Sequence, residues 1–197
     1  MLHQLKKEVL DIAVRVYNEH LVAGTNGNVS AFDPDTNYVV ITPSEYEYSV
    51  MSMRDIMVID LDGNVIEGTH RPSIDWKMHV EIYKNLPHIK SIAHTHSPYA
   101  TSFAVIQKEI PVILCDMMHY LNGSIEICPA CHLGSTDSAK YAIPILEHKN
   151  ACLMAGHGVI AVGSNVHEAY VNSIYVEDVA KIYHKACCVG EPVLLDC

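Results

Sequence analysis

Residues 151–162, Ala-Cys-Leu-Met-Ala-Gly-His-Gly-Val-Ile-Ala-Val, hold two apolar runs broken by a histidine between glycines. Apolar runs this short, bounded by turn residues, read as buried strands, because a helix needs roughly ten or more residues. Residues 151–155 and 159–162 are therefore two strands flanking Gly156-His157-Gly158. Asn165 follows, a residue type that caps helices, and the chain from there to about Cys188 reads as one long helix. Buried strands leading into a helix of that length imply an α/β domain.

Working back toward the N-terminus, the same reasoning gives a strand at 90–94, a helix at 98–107 and strands at 110–114 and 125–128. Thr136 is the expected N-cap of a helix over 137–149, although Pro144 removes one backbone donor from it. Pro72-Ser73 precedes a helix over 74–85, closed by Pro87. Residues 38–41 form a strand, and 57–66 a hairpin turning at Asp62-Gly63. Leu2, Leu5, Val9, Ile12, Val16 and Leu21 keep helical spacing through about residue 21, and 24–30 reads as a loop. The expectation is a single α/β domain over 1–197, with helices flanking a mixed or antiparallel sheet.

Composition restricts the function. The 197 residues are 49% hydrophobic and 18% charged, a globular balance with no apolar run long enough to span a bilayer. A formal charge of −10 with only 13 Lys and Arg disfavours a nucleic-acid partner, since phosphate backbones recruit basic patches. The first sixteen residues mix charges into an amphipathic pattern and offer no small-residue cleavage site, so a cytoplasmic location is expected. Seven irregularly spaced cysteines fit reduced thiols, and the Cys128/Cys131 pair lacks the second pair that a structural zinc site requires. A small molecule is the expected partner.

Of 13 histidines, His94 and His96 are the most informative. Two residues apart at a strand end, they project to the same side, and imidazole suits zinc and neighbouring divalent transition metals. His157, between glycines that permit close approach, supplies a third ligand of the kind a catalytic zinc site with an open position needs. Taken one at a time, each of the three is equally a turn or surface histidine.

Five motifs in order remove that ambiguity: Gly24-Thr25-Asn26-Gly27-Asn28-Val29-Ser30, Ile41-Thr42-Pro43-Ser44, Pro72-Ser73-Ile74-Asp75-Trp76 with His79, His94-Thr95-His96-Ser97, and Gly156-His157-Gly158. Together they resemble the class II aldolase and adducin head-domain family, which includes L-fuculose-1-phosphate aldolases and L-ribulose-5-phosphate 4-epimerases. The resemblance spans nearly the whole chain. It implies a three-layer α/β domain with a central mixed, largely antiparallel sheet, and zinc or another divalent metal held by His94, His96 and His157. It also implies a cyclic homotetramer.

The resemblance further implies that Asp75 is the general acid/base and that Asn28, Ser44 and Ser73 receive a substrate phosphate. The reaction it points to is cleavage of a ketose 1-phosphate to dihydroxyacetone phosphate and an aldehyde through a metal-stabilised enediolate. A related sugar-phosphate epimerase or decarboxylase, and a non-catalytic adducin-like module, are the alternatives. The chain departs from the family pattern at several positions. Glu45 stands where a glycine is usual, Ile74 where a second serine is usual, and Asp75 where the aldolases carry Glu and the epimerases Asp. Cys115 stands near the place where the aldolases receive a tyrosine from a neighbouring subunit, so His119 or Tyr120, a few residues on, is the expected second proton carrier. The C-terminal tail that brings a tyrosine to the epimerases has no counterpart before Cys197.

Overall fold

Eight strands build the scaffold: β1 (Asn28–Asp33), β2 (Tyr38–Ile41), β3 (Met57–Asp60), β4 (Val65–Glu67), β5 (Ser91–Thr95), β6 (Ile127–Cys128), β7 (Ala151–Met154) and β8 (Gly158–Gly163). They form one sheet in the order β4-β3-β2-β1-β5-β8-β7-β6. Every neighbouring pair is antiparallel except β6 with β7. This computed structural model describes residues 2–132 and 134–196.

Among the described residues, six α-helices cover the sheet: α1 (Leu2–Asn18), α2 (Trp76–Asn85), α3 (Pro98–Val105), α4 (Asp116–Tyr120), α5 (Asp137–Leu146) and α6 (Val166–Val189). Strand side chains alternate between faces, and both faces are apolar because both are covered. Ile41, Met57, Ile59, Ile92 and Ile160 meet Met78 and Ile82 of α2 and Ala142 and Leu146 of α5. On the other face, Val29, Val40 and Val58 pack on Val9 and Val16 of α1, while Leu153, Val159 and Ala161 pack on α3 and α6. The result is three layers, helix–sheet–helix, as the resemblance implies. No described helix is long and apolar enough to cross a membrane.

The 151–162 hairpin and its following helix form as expected, with the Asn165 side chain accepting from Glu168 N at 2.9 Å. Four expectations need correction. The first helix stops at Asn18, and His20 leaves the helical path at φ 60. The 24–30 segment is a loop only until Asn28, where β1 begins. The 110–114 segment contributes one isolated bridge, Ile110 to Ile125, not a strand. Thr136 adopts helical angles itself and its hydroxyl caps nothing.

Candidate active site and metal centre

β5 is central to the sheet, with His94 opposite Asn28 of β1 on one side and Ile160 of β8 on the other. His96 lies just beyond its end, its N–H donating to Leu21 O at 3.0 Å. His157 arrives from the β7–β8 turn, where its N–H donates to Met154 O at 3.0 Å and Gly156 takes φ 65. Gly158 explains how the turn comes so close: a Cβ there would sit 2.4 Å from Thr95 O and 2.9 Å from His96 Cδ2. Only a glycine lets the hairpin tip rest against β5.

One ligand nitrogen from each of His94, His96 and His157 lies within 4.8 Å of the other two, and the rings stand roughly edge to face. His94 Nδ1 donates to Val159 O at 2.8 Å, which fixes its tautomer and leaves the Nε2 lone pair facing the cluster. His96 Nε2 is 3.1 Å from that atom. Burial, helped by the neighbouring imidazoles and opposed by Asp75, lowers His94 to about 3. His96 and His157 are also lowered, chiefly by burial. Three neutral imidazoles with converging lone pairs are what a divalent transition ion requires, so the residues present fit such a metal.

Asp75 stands at the N-cap position of α2, but its side chain makes no capping bond. Its Oδ2 accepts from Asn28 Nδ2 at 2.9 Å and lies 3.8 Å from His94 Nε2. Burial works against its ionisation, yet His94, His79, the Asn28 N–H and His157 together hold it below the ordinary carboxylate range. An ionised carboxylate thus faces the histidine cluster.

A cavity of about 290 Å³ opens on this group, lined among others by Asn28, Ser44, Glu45, Ser73, Ile74, Asp75, His96 and His157, with no Lys or Arg in its wall. Its walls are tied together. Ser44 N–H donates to Arg71 O at 2.8 Å, Ser73 N–H to Thr42 O at 3.1 Å, and the Tyr48 hydroxyl to Gly27 O at 2.9 Å. Gly27, at φ 74, packs so tightly that a Cβ would lie 2.4 Å from Val22 Cγ1 and 2.8 Å from His94 O. The expected phosphate donors Asn28, Ser44 and Ser73 therefore share one cavity with His96, His157 and Asp75. Glu45 also lines it and adopts φ 54, the left-handed conformation that a glycine takes freely.

His119 and Tyr120 are placed elsewhere. Both belong to α4, Tyr120 stacks on Tyr175 of α6 with centroids 3.8 Å apart, and neither lines the cavity. Cys115, just before them, is exposed. Conversely, Ser30, although it ends the first motif, and Tyr83, which no motif includes, receive no role from the sequence, yet both bond beneath the site, Ser30 to His79 and to Tyr83. The detectable signal is the spacing of Asp75, His79 and Tyr83, three polar side chains one helical turn apart.

The Class II Aldolase and Adducin N-terminal domain family matches residues 7–184. The chain is 31% identical over 195 residues to a 5-deoxy-D-ribulose 1-phosphate aldolase of Bacillus thuringiensis serovar kurstaki, covering 99% of this chain and 91% of that protein. It is 33% identical over 192 residues to an L-ribulose-5-phosphate 4-epimerase of Salmonella paratyphi C, covering 92% and 84%. A solved L-fuculose 1-phosphate aldolase superimposes with a TM-score of 0.92 at 33% identity, covering 98% of this chain and 90% of that one.

Proposed function

We propose that this chain, which belongs to the class II aldolase and adducin family and is an enzyme of the metal-dependent aldolase type, cleaves a ketose 1-phosphate to dihydroxyacetone phosphate and an aldehyde. The observation carrying this reading is the convergence of three neutral imidazoles with an ionised Asp75, 3.8 Å from His94, at one end of a cavity that Asn28, Ser44 and Ser73 also line.

His94, His96 and His157 would hold zinc or a similar ion, which when bound supplies the positive charge that stabilises electron density gathering on the substrate's carbonyl oxygen. Asn28, Ser44 and Ser73 bind the phosphate and fix the reacting carbon beside Asp75. Asp75 moves the proton at that carbon, its carboxylate oriented by Asn28. His119 or Tyr120 serves the leaving aldehyde's oxygen from a neighbouring copy, which the proposed homotetramer supplies. We place the enzyme in the cytoplasm, as one domain over the whole chain.

Asp75 in place of Glu, together with the similarity to a 4-epimerase, keeps epimerisation of a sugar phosphate as the second reading. A non-catalytic binding module is the weaker rival, because it has no use for three desolvated imidazoles around one point. Metal content by mass spectrometry on wild type, His94→Ala and His157→Ala tests the centre. About one zinc per chain, lost in both variants, is expected. Assays of ketose 1-phosphates for released dihydroxyacetone phosphate then test the chemistry. Metal that wild type neither contains nor takes up would overturn the enzyme reading, and epimer formation without cleavage would favour the second.

A further inference from the structure

Behind Asp75 a line of polar groups runs from the cavity into the apolar core. Asp75, His79 and Tyr83 are spaced four residues apart and so share one face of α2. Asn28 and Ser30, two apart in β1, share one face of that strand. The two stripes meet through hydrogen bonds. Asn28 Nδ2 donates to Asp75 Oδ2 at 2.9 Å, and Ser30 Oγ lies 2.6 Å from His79 Nδ1 and 2.5 Å from Tyr83 Oη. Ser30, His79 and Tyr83 are all buried, next to Met78, Ile82 and Ile92. Apolar side chains would fill this space at less cost, since buried polar groups contribute little net stability even when paired.

Counting protons orders the chain. Ser30 has one hydroxyl proton for two contacts. If His79 Nδ1–H donated to Ser30 and Ser30 to Tyr83, the buried Tyr83 proton would have no acceptor among the side-chain contacts described. A bare Nε2 lone pair would also stand one helical turn from a carboxylate. The opposite direction, Tyr83 to Ser30 to His79 Nδ1, uses both hydroxyl protons and leaves an N–H on Nε2. That Nε2 atom is buried with no hydrogen-bond partner among the described residues, as is Asn28 Oδ1. Burying an unsatisfied donor is costly, so such an atom is a place to look for a function.

We propose that His79 is a positioning residue for Asp75: Tyr83 and Ser30 lock its imidazole as the Nε2–H tautomer, and that N–H holds the Asp75 carboxylate in place through one buried water, since no direct bond joins them. This rests on the reading of Asp75 as the proton carrier. Directional bonds fix the rotation of α2 over β1, which apolar packing alone would leave free to slip, and a small displacement of Asp75 would spoil its distance to His94.

Two measurements test it on the full-length protein. Nitrogen-15 NMR of the histidine rings should show His79 neutral and protonated on Nε2, in metal-free and zinc-loaded protein alike. A proton on Nδ1 overturns the proposal whatever the substrate proves to be. The second is a double-mutant cycle in kcat with Asp75→Asn and His79→Gln. His79→Gln alone should lower kcat about tenfold to a hundredfold at nearly constant KM and zinc content. In the Asp75→Asn background it should change kcat less than about twofold, because the group it positions is gone. Losses that multiply independently would mean that His79 only supports the fold. Tyr83→Phe removes a single hydroxyl with little change in volume. It should reproduce the kcat loss in weaker form if His79→Gln folds poorly, and an unchanged kcat there would also overturn the proposal.

Discussion

Asp75 and Glu45 are two carboxylates on one cavity wall, and their surroundings give them different consequences. Asp75 is buried, oriented by Asn28 and kept ionised beside the imidazoles, which suits proton transfer. Asp75→Asn keeps shape and polarity while removing the base, so kcat should fall by about 10²–10⁴ with zinc content unchanged by mass spectrometry. Loss of zinc together with activity would make Asp75 a ligand instead. Glu45 carries two separable penalties: a left-handed backbone at φ 54 and a charge that repels a phosphate. Glu45→Gly should raise stability by about 1 kcal/mol and lower KM for a phosphorylated substrate, whereas Glu45→Gln should lower KM without the gain in stability. Thermal melts and steady-state kinetics separate the two. An unchanged KM in both variants would place the substrate phosphate away from Ser44.

At the scale of elements, the 151–162 hairpin was legible because its apolar runs and its glycines each have one structural meaning. β1 was not. Asn28 and Ser30 alternate with Val29 and Ala31, but only over four residues and directly after Gly24 and Gly27, so the segment reads as a continuation of the glycine-rich loop. The three candidate ligands could be named because five motifs stand in order along the chain, although each histidine alone reads equally as a turn or surface residue. The ladder behind Asp75 could not, since a serine and a tyrosine 53 residues apart acquire meaning only when α2 lies on β1. The hairpin tip gives its own prediction. Gly158→Ala would push a methyl group into Thr95 O and His96, so the turn must retreat and carry His157 with it. Zinc affinity, measured by competition with a chelator, should fall about tenfold or more. Gly156→Ala meets nothing within 4 Å but forces alanine to φ 65. It should cost about 1 kcal/mol of stability with zinc affinity retained, and equal loss of affinity in both variants would point to backbone strain as the cause.

Over the whole molecule, the site places ionisable groups where water cannot reach them, and global stability must register this through pH. Burial lowers His94 to about 3 and His79 to about 4, against an ordinary value of 6.5. Between those values and 6.5 the unfolded chain binds protons that the native protein refuses. Protonation therefore favours unfolding, and stability present above about pH 6.5 is lost as pH falls through 5 toward 4 and 3. The lowered Asp75 adds loss in the same direction, but only below its ordinary 3.8. Urea unfolding of chelator-treated protein should show a drop of about 4 kcal/mol between pH 7 and pH 5, divided between the two histidines. His79→Gln, which removes one of the two strongly displaced histidines, should reduce that drop by roughly half. Zinc should add about 2.7 kcal/mol at pH 7 when present at a hundred times its dissociation constant. That increment should persist toward pH 5, because it depends on the native site, where burial disfavours protonation of the three imidazoles. Stability that stays level from pH 7 to pH 5 would mean that both imidazoles accept protons in the native protein, and a desolvated centre of neutral ligands would then be the wrong description of this site.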